Sequence, residues 1–478
     1  MTEDLQPSPA PAHPLSILLE RQRAAHLADP SPSATVRDDR LRRLLRLVTE
    51  NEQKVVSAID ADFSGRSRHQ TLMADVVTVT GTIRHARRHL ARWMRPVRVP
   101  TAPRYRPAYN RIVRQPLGVV GVVAPWNYPC NLSLCPAVGA IAAGNRVMIK
   151  PSELIPRFSD LLGELIAAAF EPEEVAVAIG GADVGKAFVA LPFDHLLFTG
   201  STEVGRLVAQ AAARNLVPVT LELGGKSPVI VDRSADIAKV ATKLVNTKLF
   251  NAGQTCIAPD YVIVSSGREA ALVAALRAAA GRLYPNGIDG PDATSIINDR
   301  HFRRLVGLVD DARAKGARIV ELCGTGPAAD TARRRLPLTL ILGATGDMLA
   351  MQEEIFGPVL PIMTCASPEA AIAFVNARPR PLSLYWFGKD KAARDRVLSQ
   401  TSSGGATIND CMWHFAQEDA PFGGVGASGY GAYHGEHGFK TFSKEKPVFY
   451  QSSWSATPLF NPPYGRLFNA LMSVMRRL

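Results

Sequence analysis

The chain has 478 residues, of which 46% are apolar and 21% charged, and its formal net charge is +12. The length is too great for one simple core and predicts two large domains, while no apolar run approaches the ~20 residues that cross a bilayer. The six cysteines (130, 135, 256, 323, 365 and 411) form no Cys-x-x-Cys pair and no repeated framework; this argues against zinc and structural disulfides, leaves no metal site in view and fits a reducing cytoplasm.

Residues 1–14 are mildly acidic, proline-rich and without an apolar core, so a disordered tail is expected rather than a signal peptide. Residues 15–99 predict helices: Leu15, Ile17, Leu18 and Leu19 open one, and Leu41, Leu44, Leu45 and Val48 recur at helical spacing in the next. Arg40, Arg42, Arg43 and Arg46, then Arg84, Arg87 and Arg88, read as a solvated basic helix face, since no nucleic-acid motif accompanies them. Pro100, Pro103 and Pro107 break the pattern, and basic residues interspersed with aromatic and aliphatic ones over 100–115 predict an exposed edge ribbon or arm.

From 116 to 221, β-rich runs over 118–124, 146–150, 175–179, 195–198 and 217–221 alternate with helical runs over 131–143, 157–170 and 202–214. Such alternation predicts an α/β protein with a parallel sheet covered on both faces. A second α/β unit spans 222–408, with helices over 235–249, 268–282 and 300–315 and a strand over 261–265. A glycine-rich segment, Gly423 to Gly438, lies within 409–450. In the tail, 451–478, Tyr464, Leu467, Phe468, Leu471, Met475 and Leu478 fall at helical spacing beside Arg466, Arg476 and Arg477. Docking of this amphipathic basic helix on the protein's own surface or a partner subunit is expected ahead of peripheral membrane contact.

Chemistry concentrates in six blocks. Gln254-Thr255-Cys256 offers a thiol flanked by small residues, and Leu221-Glu222-Leu223-Gly224-Gly225-Lys226 a carboxylate followed by two glycines. A thiol can attack a carbonyl, and a carboxylate can activate the water that later releases the acyl group. His195 to Gly205 reads as a buried strand, a turn at Gly200 and a helix start with Ser201 or Thr202 as N-cap, whose free N–H groups can face a pyrophosphate. Lys150 ends a strand, with Glu153 three residues on, and the two read, by themselves, as a surface ion pair. Asn127, between Pro125 and Pro129, is by itself a turn residue, and Glu353-Glu354 before Ile355-Phe356-Gly357 an exposed acidic pair. Gly424-Val-Gly-Ala-Ser-Gly429 matches a dinucleotide-binding pattern in form only, because no strand precedes it and no βαβ unit follows; it reads as a flexible or closely packed loop.

Together and in their order along the chain, the first six of these blocks resemble the NAD(P)-dependent aldehyde dehydrogenase superfamily over residues 15–450, and Thr-Cys-Ile-Ala-Pro-Asp-Tyr resembles its class 3 branch. The resemblance implies a Rossmann-type parallel-sheet cofactor domain (15–99 and 116–221), an α/β catalytic domain (222–408) and a bridging or oligomerisation arm (100–115 and 409–450), with a homodimer expected. It implies Cys256 as nucleophile, Asn127 with the Cys256 N–H as oxyanion donors, and Glu222 as the base that hydrolyses the thioester. For the cofactor it implies Trp126, Lys150, Glu153, Gly200, Ser201, Gly205, Glu354 and Phe356; a carboxylate facing the ribose leans towards NAD, with NADP possible. Residues 409–419 and 430–435 are similar to those of bacterial coniferyl aldehyde dehydrogenases. Trp413, His414 and Phe415, with Tyr128, are thus expected to line an aromatic-aldehyde funnel, unless the first three are core residues of the glycine-rich region. Ala427 stands where many class 3 members have Asn. The alternatives are a fatty or aliphatic aldehyde dehydrogenase, a CoA-acylating relative, or a catalytically silent binding protein.

Overall fold

The computed structural model describes residues 14–322, 329–455 and 457–476. The tail expected to be disordered lies outside them but for Pro14, which opens the first helix, as do Arg477 and Leu478 at the far end. Helices run from Pro14 to Trp93, the longest of them Ala34–Glu50 and Thr78–Trp93. Ser33 caps the former by accepting the Val36 N–H, and Leu41, Leu44, Leu47 and Val48 form its buried stripe. The helical reading of 15–99 ends early. Val97 and Val99 flank Arg98 in a strand that pairs antiparallel with Tyr109–Pro116, because β-branched residues there meet a free strand edge.

The solvated basic face is corrected in part. Arg42, Arg46, Arg84 and Arg88 are exposed, but Arg40 is buried and, with half-buried Arg43, binds Glu174 at 2.9 and 2.8 Å. Arg37, buried beside them, donates to the carbonyls of Ala142 and Ala143, which end the helix Pro129–Ala143 without intrahelical partners. These arginines dock the helical layer onto the sheet.

Three sheets form among the described residues. The first orders Gly429–Tyr430, Val219–Glu222, His195–Thr199, Val119–Val123, Arg146–Lys150 and Val175–Val177; all neighbours are parallel except the glycine-led edge strand. The second orders Arg318–Leu322, Leu338–Leu342, Val359–Cys365, Tyr261–Ser265, Pro228–Val231, Ser383–Phe387 and Gly405–Ile408, antiparallel only at its first pair. Leu338–Leu342, apolar but for Thr339 and buried at every residue, suits a sheet covered on both faces. The third is the antiparallel arm of Val97–Val99, Tyr109–Pro116 and Ser443–Tyr450.

In the first sheet the chain leaves Val119–Val123 towards one side for Arg146–Lys150 and later returns to the other with His195–Thr199. That reversal opens a crevice at the carboxyl ends of the strands, where ligands of open α/β sheets sit. The glycine-rich segment is closely packed there. Gly429, at φ +122°, pairs with Glu222, and a Cβ on it would strike the Leu221 carbonyl. The tail forms the helix Arg466–Met475, of which no residue is fully buried; Phe468, Leu471, Met472 and Met475 are half-buried, Phe468 against Phe460, and Met472 and Met475 line a cavity with Tyr105 of the arm. No described helix is long and apolar enough to cross a membrane.

Candidate active site

A cavity of about 690 Å³ lies at the carboxyl edge of the first sheet, between it and the loops of the second. Each wall comes from a chain segment that leaves a strand. Pro125, Trp126 and Asn127 follow Val119–Val123, Gly200 and Ser201 follow His195–Thr199, and Glu222 ends its own strand. Cys256 faces them from a tight loop after the helix Ile237–Leu249. Asn251 and Ala252 in that loop take left-handed backbone angles (φ 51° and 52°), and Gln254 pins it. The buried Gln254 amide donates to the Asn251 and Ser295 carbonyls and accepts the Ile297 N–H, all at 3.0–3.1 Å.

Asn127 is buried; its side-chain amide donates to the Gln254 carbonyl at 3.1 Å, two residues from the thiol. Its own carbonyl accepts from Asn251 Nδ2 at 3.0 Å. Glu222 is fully buried and neither of its carboxylate oxygens has a protein partner. Glu354 is held against the Gly224–Gly225 backbone so closely that a Cβ on Gly224 would overlap its carboxylate. Phe356, at φ 53°, packs edge-on against Trp126 with ring centroids 5.5 Å apart; a bulky residue with positive φ costs on the order of 1 kcal/mol or more and marks an imposed geometry.

The family profile for aldehyde dehydrogenases matches residues 21–448. This chain belongs to the aldehyde dehydrogenase family. It is 50% identical over 454 residues to the "Probable coniferyl aldehyde dehydrogenase" of Caulobacter vibrioides, covering 94% of each chain. It is 46% identical to the "Coniferyl aldehyde dehydrogenase" of Pseudomonas sp. strain HR199, covering 98% of each. The solved structure of Staphylococcus aureus AldH in its substrate-bound state superposes with a TM-score of 0.92 at 37% identity, covering 97% of this chain and all of that one. Aldehyde dehydrogenases use NAD(P), and this chain is accordingly an oxidoreductase acting on an aldehyde.

The electrostatics of the dehydrogenase's site follow from the burial of its titratable groups. Burial pushes the Glu222 carboxyl well above the ordinary carboxylate range. Burial, then the nearby Glu354 and Glu222, push the Cys256 thiol up to about 12. Glu354 is pushed up to about 8 by burial and by Asp260, against the pull of the Gly225 N–H and Lys226. In the cofactor-free chain, then, burial favours the thiol form of Cys256 and shifts Glu222 towards its neutral form.

Several residues of the sequence reading stand elsewhere. Gly205 does not line the cavity; a Cβ there would meet Leu223 at 2.7 Å, so the glycine lets the helix Thr202–Ala213 pack closely on the sheet. Ser201 rather than Thr202 is the cap, accepting from Val204 N at 3.3 Å, while the Thr202 hydroxyl donates to the Ala427 carbonyl. Lys150 is buried and Glu153 half exposed, 3.8 Å apart, so this is no surface pair; both lie outside the cavity described. Tyr128 is buried beneath the cysteine loop, its hydroxyl 2.6 Å from Thr255 Oγ1. Trp413, His414 and Phe415 also lie outside this cavity. His414 is held between Ser383 and Thr407, with its pKa lowered by burial to about 4; Phe415 packs on Phe422 and His434, and Trp413 is 57% exposed.

Other residues of the site went unassigned in the sequence. Lys226 and Asp260 form a buried ion pair, Lys226 also donates to the Ala350 carbonyl, and Asp260 accepts the Ile355 N–H at 2.9 Å. Between them they hold the segment carrying Glu354. Both charges stand inside the blocks quoted above, and that was the signal available. Thr199 lines the cavity with its buried hydroxyl unpaired, and Arg206 and Arg304 supply positive charge to its wall.

Proposed function

We propose that this dehydrogenase oxidises coniferaldehyde, or a similar aromatic enal, to its carboxylic acid with NAD+ and releases the product by hydrolysis. The observation that carries the hydrolytic reading is Glu222: a buried carboxylate at the cavity wall with both oxygens unpaired has the free acceptors a base needs for water. The substrate reading is supported by likeness to the coniferyl aldehyde dehydrogenases.

The residues present fit a dinucleotide. The capped start of Thr202–Ala213 offers free N–H groups behind Gly200 and Ser201. Thr199, its hydroxyl unpaired, lines the same cavity with Trp126, Glu354 and Phe356. Bound there, NAD supplies the hydride acceptor and a positive charge that favours the Cys256 thiolate. Cys256 attacks the aldehyde carbonyl to give a thiohemiacetal, whose oxyanion the Asn127 amide and the Cys256 N–H hold; a donor of this kind contributes about 3–4 kcal/mol. After oxidation to the thioester, Glu222 takes a proton from the attacking water, and the acid departs as Cys256 is restored.

The Lys150–Glu153 pair is assigned to the adenosine ribose, where the carboxylate would repel a 2′-phosphate and favour NAD over NADP. We assign residues 15–96 and 117–222, with the edge strand Gly429–Tyr430, to cofactor binding, 223–408 to catalysis and the sheet of Val97–Val99, Tyr109–Pro116 and Ser443–Tyr450 to a homodimeric arm, in a cytoplasmic enzyme; the bounds expected from the sequence, 99/100, 115/116, 221/222 and 408/409, shift because these strands pair across them. The test is NADH formation without coenzyme A from coniferaldehyde and from a straight-chain aldehyde in parallel. Faster turnover of coniferaldehyde is expected; a clear aliphatic preference would overturn the substrate reading, and a requirement for coenzyme A the hydrolytic one.

A further inference from the structure

Arg66 and Asp75 stand in none of the blocks that carry the family likeness, yet they grip the Asn127 loop from both sides. Each side chain is wholly buried, and Arg66 Nη2 lies 3.0 Å from Asp75 Oδ2. Arg66 Nη1 donates to the Asn127 carbonyl at 2.6 Å. The guanidinium lies over the rings of Phe63 and Tyr128, 4.8 and 5.1 Å from their centroids, which fixes its plane. Asp75 Oδ1 accepts the N–H groups of Cys130 and Asn131, both at 3.1 Å, in the first turn of the helix Pro129–Ala143. A carboxylate is favoured at such a helix start. The loop from Asn127 to Asn131 is thus held at its carbonyl by the cation and at its amides by the anion.

Removing two charges from water costs several kcal/mol per ion unless geometry and further hydrogen bonds compensate, so a buried pair is weak evidence of a gain in stability. Here the additional hydrogen bonds all go to one loop, and that loop carries the asparagine that faces the cysteine. Asp75 itself sits in a π-helical turn, Leu72–Val77, a distortion common at functional sites. We propose that Arg66 and Asp75 are positioning residues that set the orientation of the Asn127 amide for attack by Cys256. The proposal rests on the reading of Asn127 as an oxyanion donor.

The test is a double-mutant cycle on the acylation rate, read as the NADH burst of the full enzyme after rapid mixing. Arg66→Lys keeps the charge and loses the planar two-point contact; Asp75→Asn provides a second variant should the first not fold, and thermal melts report folding for both. Each single variant is expected to slow the burst about 10- to 100-fold, with the post-burst hydrolysis changed less than about 2-fold. In an Asn127→Ala background the same substitutions should slow the burst by less than about 2-fold. Equal losses in both backgrounds would show a structural role and overturn this proposal alone. A normal burst in Asn127→Ala itself would overturn the oxyanion reading and this proposal with it.

Discussion

Replacing Glu222 by glutamine keeps the side chain's shape and removes its capacity to take a proton. Neither oxygen of Glu222 bonds to the protein and the group is fully buried, so the substitution breaks no internal contact and removes a carboxyl that folding had to desolvate. The fold is therefore expected to survive with an unchanged or slightly raised melting temperature. General-base catalysis contributes about 10²- to 10⁴-fold, and the whole loss should fall on thioester hydrolysis. In a stopped-flow experiment the Glu222→Gln enzyme should deliver a full equivalent of NADH per active site in the burst and then turn over slower by that factor. In the unaltered enzyme, the raised pKa means that the base form grows with pH, so hydrolysis should speed up as pH rises and level off above that pKa. The variant should lose this slope. An unchanged steady state in Glu222→Gln, or loss of burst and steady state together with the fold intact, would refute the assignment of Glu222 to hydrolysis alone.

Cys256, held near 12, should react with iodoacetamide at a rate rising about tenfold per pH unit from neutrality in the cofactor-free protein; levelling below pH ~9 would contradict the burial argument. Gly224→Ala places a methyl on the Glu354 carboxylate and should raise KM for NAD while the melting temperature holds to within a few degrees, as steady-state kinetics and calorimetry would show. Gly429→Ala forces a Cβ onto the Leu221 carbonyl at φ +122° and should cost about 1–3 kcal/mol, read as a lower melting temperature; an unchanged melt would mean the edge strand moves freely. Asp260→Asn should loosen the Glu354 segment and weaken NAD binding in calorimetric titration; unaltered affinity would separate that segment from the cofactor.

The strands that build the crevice were legible because they are local. The run Val119–Val123 is four valines about one glycine, and a sheet covered on both faces buries such a run. Cys256, Glu222, Asn127 and Glu354 were marked as candidates for a different reason: each stands in a block that resembles the aldehyde dehydrogenase family, while Asn127 and Glu354 alone read as a turn residue and an exposed acid. What the sequence did not disclose is what charged residues do across long separations. Arg40 and Arg43 look like their exposed neighbours Arg42 and Arg46 until the helical layer brings them to Glu174. His414 and Phe415 look like ring residues free to wall a funnel until Ser383, Thr407, Phe422 and His434 close around them. Arg66 and Asp75 carry no local signal at all, because the reason for each is a loop that the chain reaches only after crossing another long helix and three strands. Backbone pattern follows from neighbouring residues and is written in order; burial of a charge is decided by what tertiary packing places beside it.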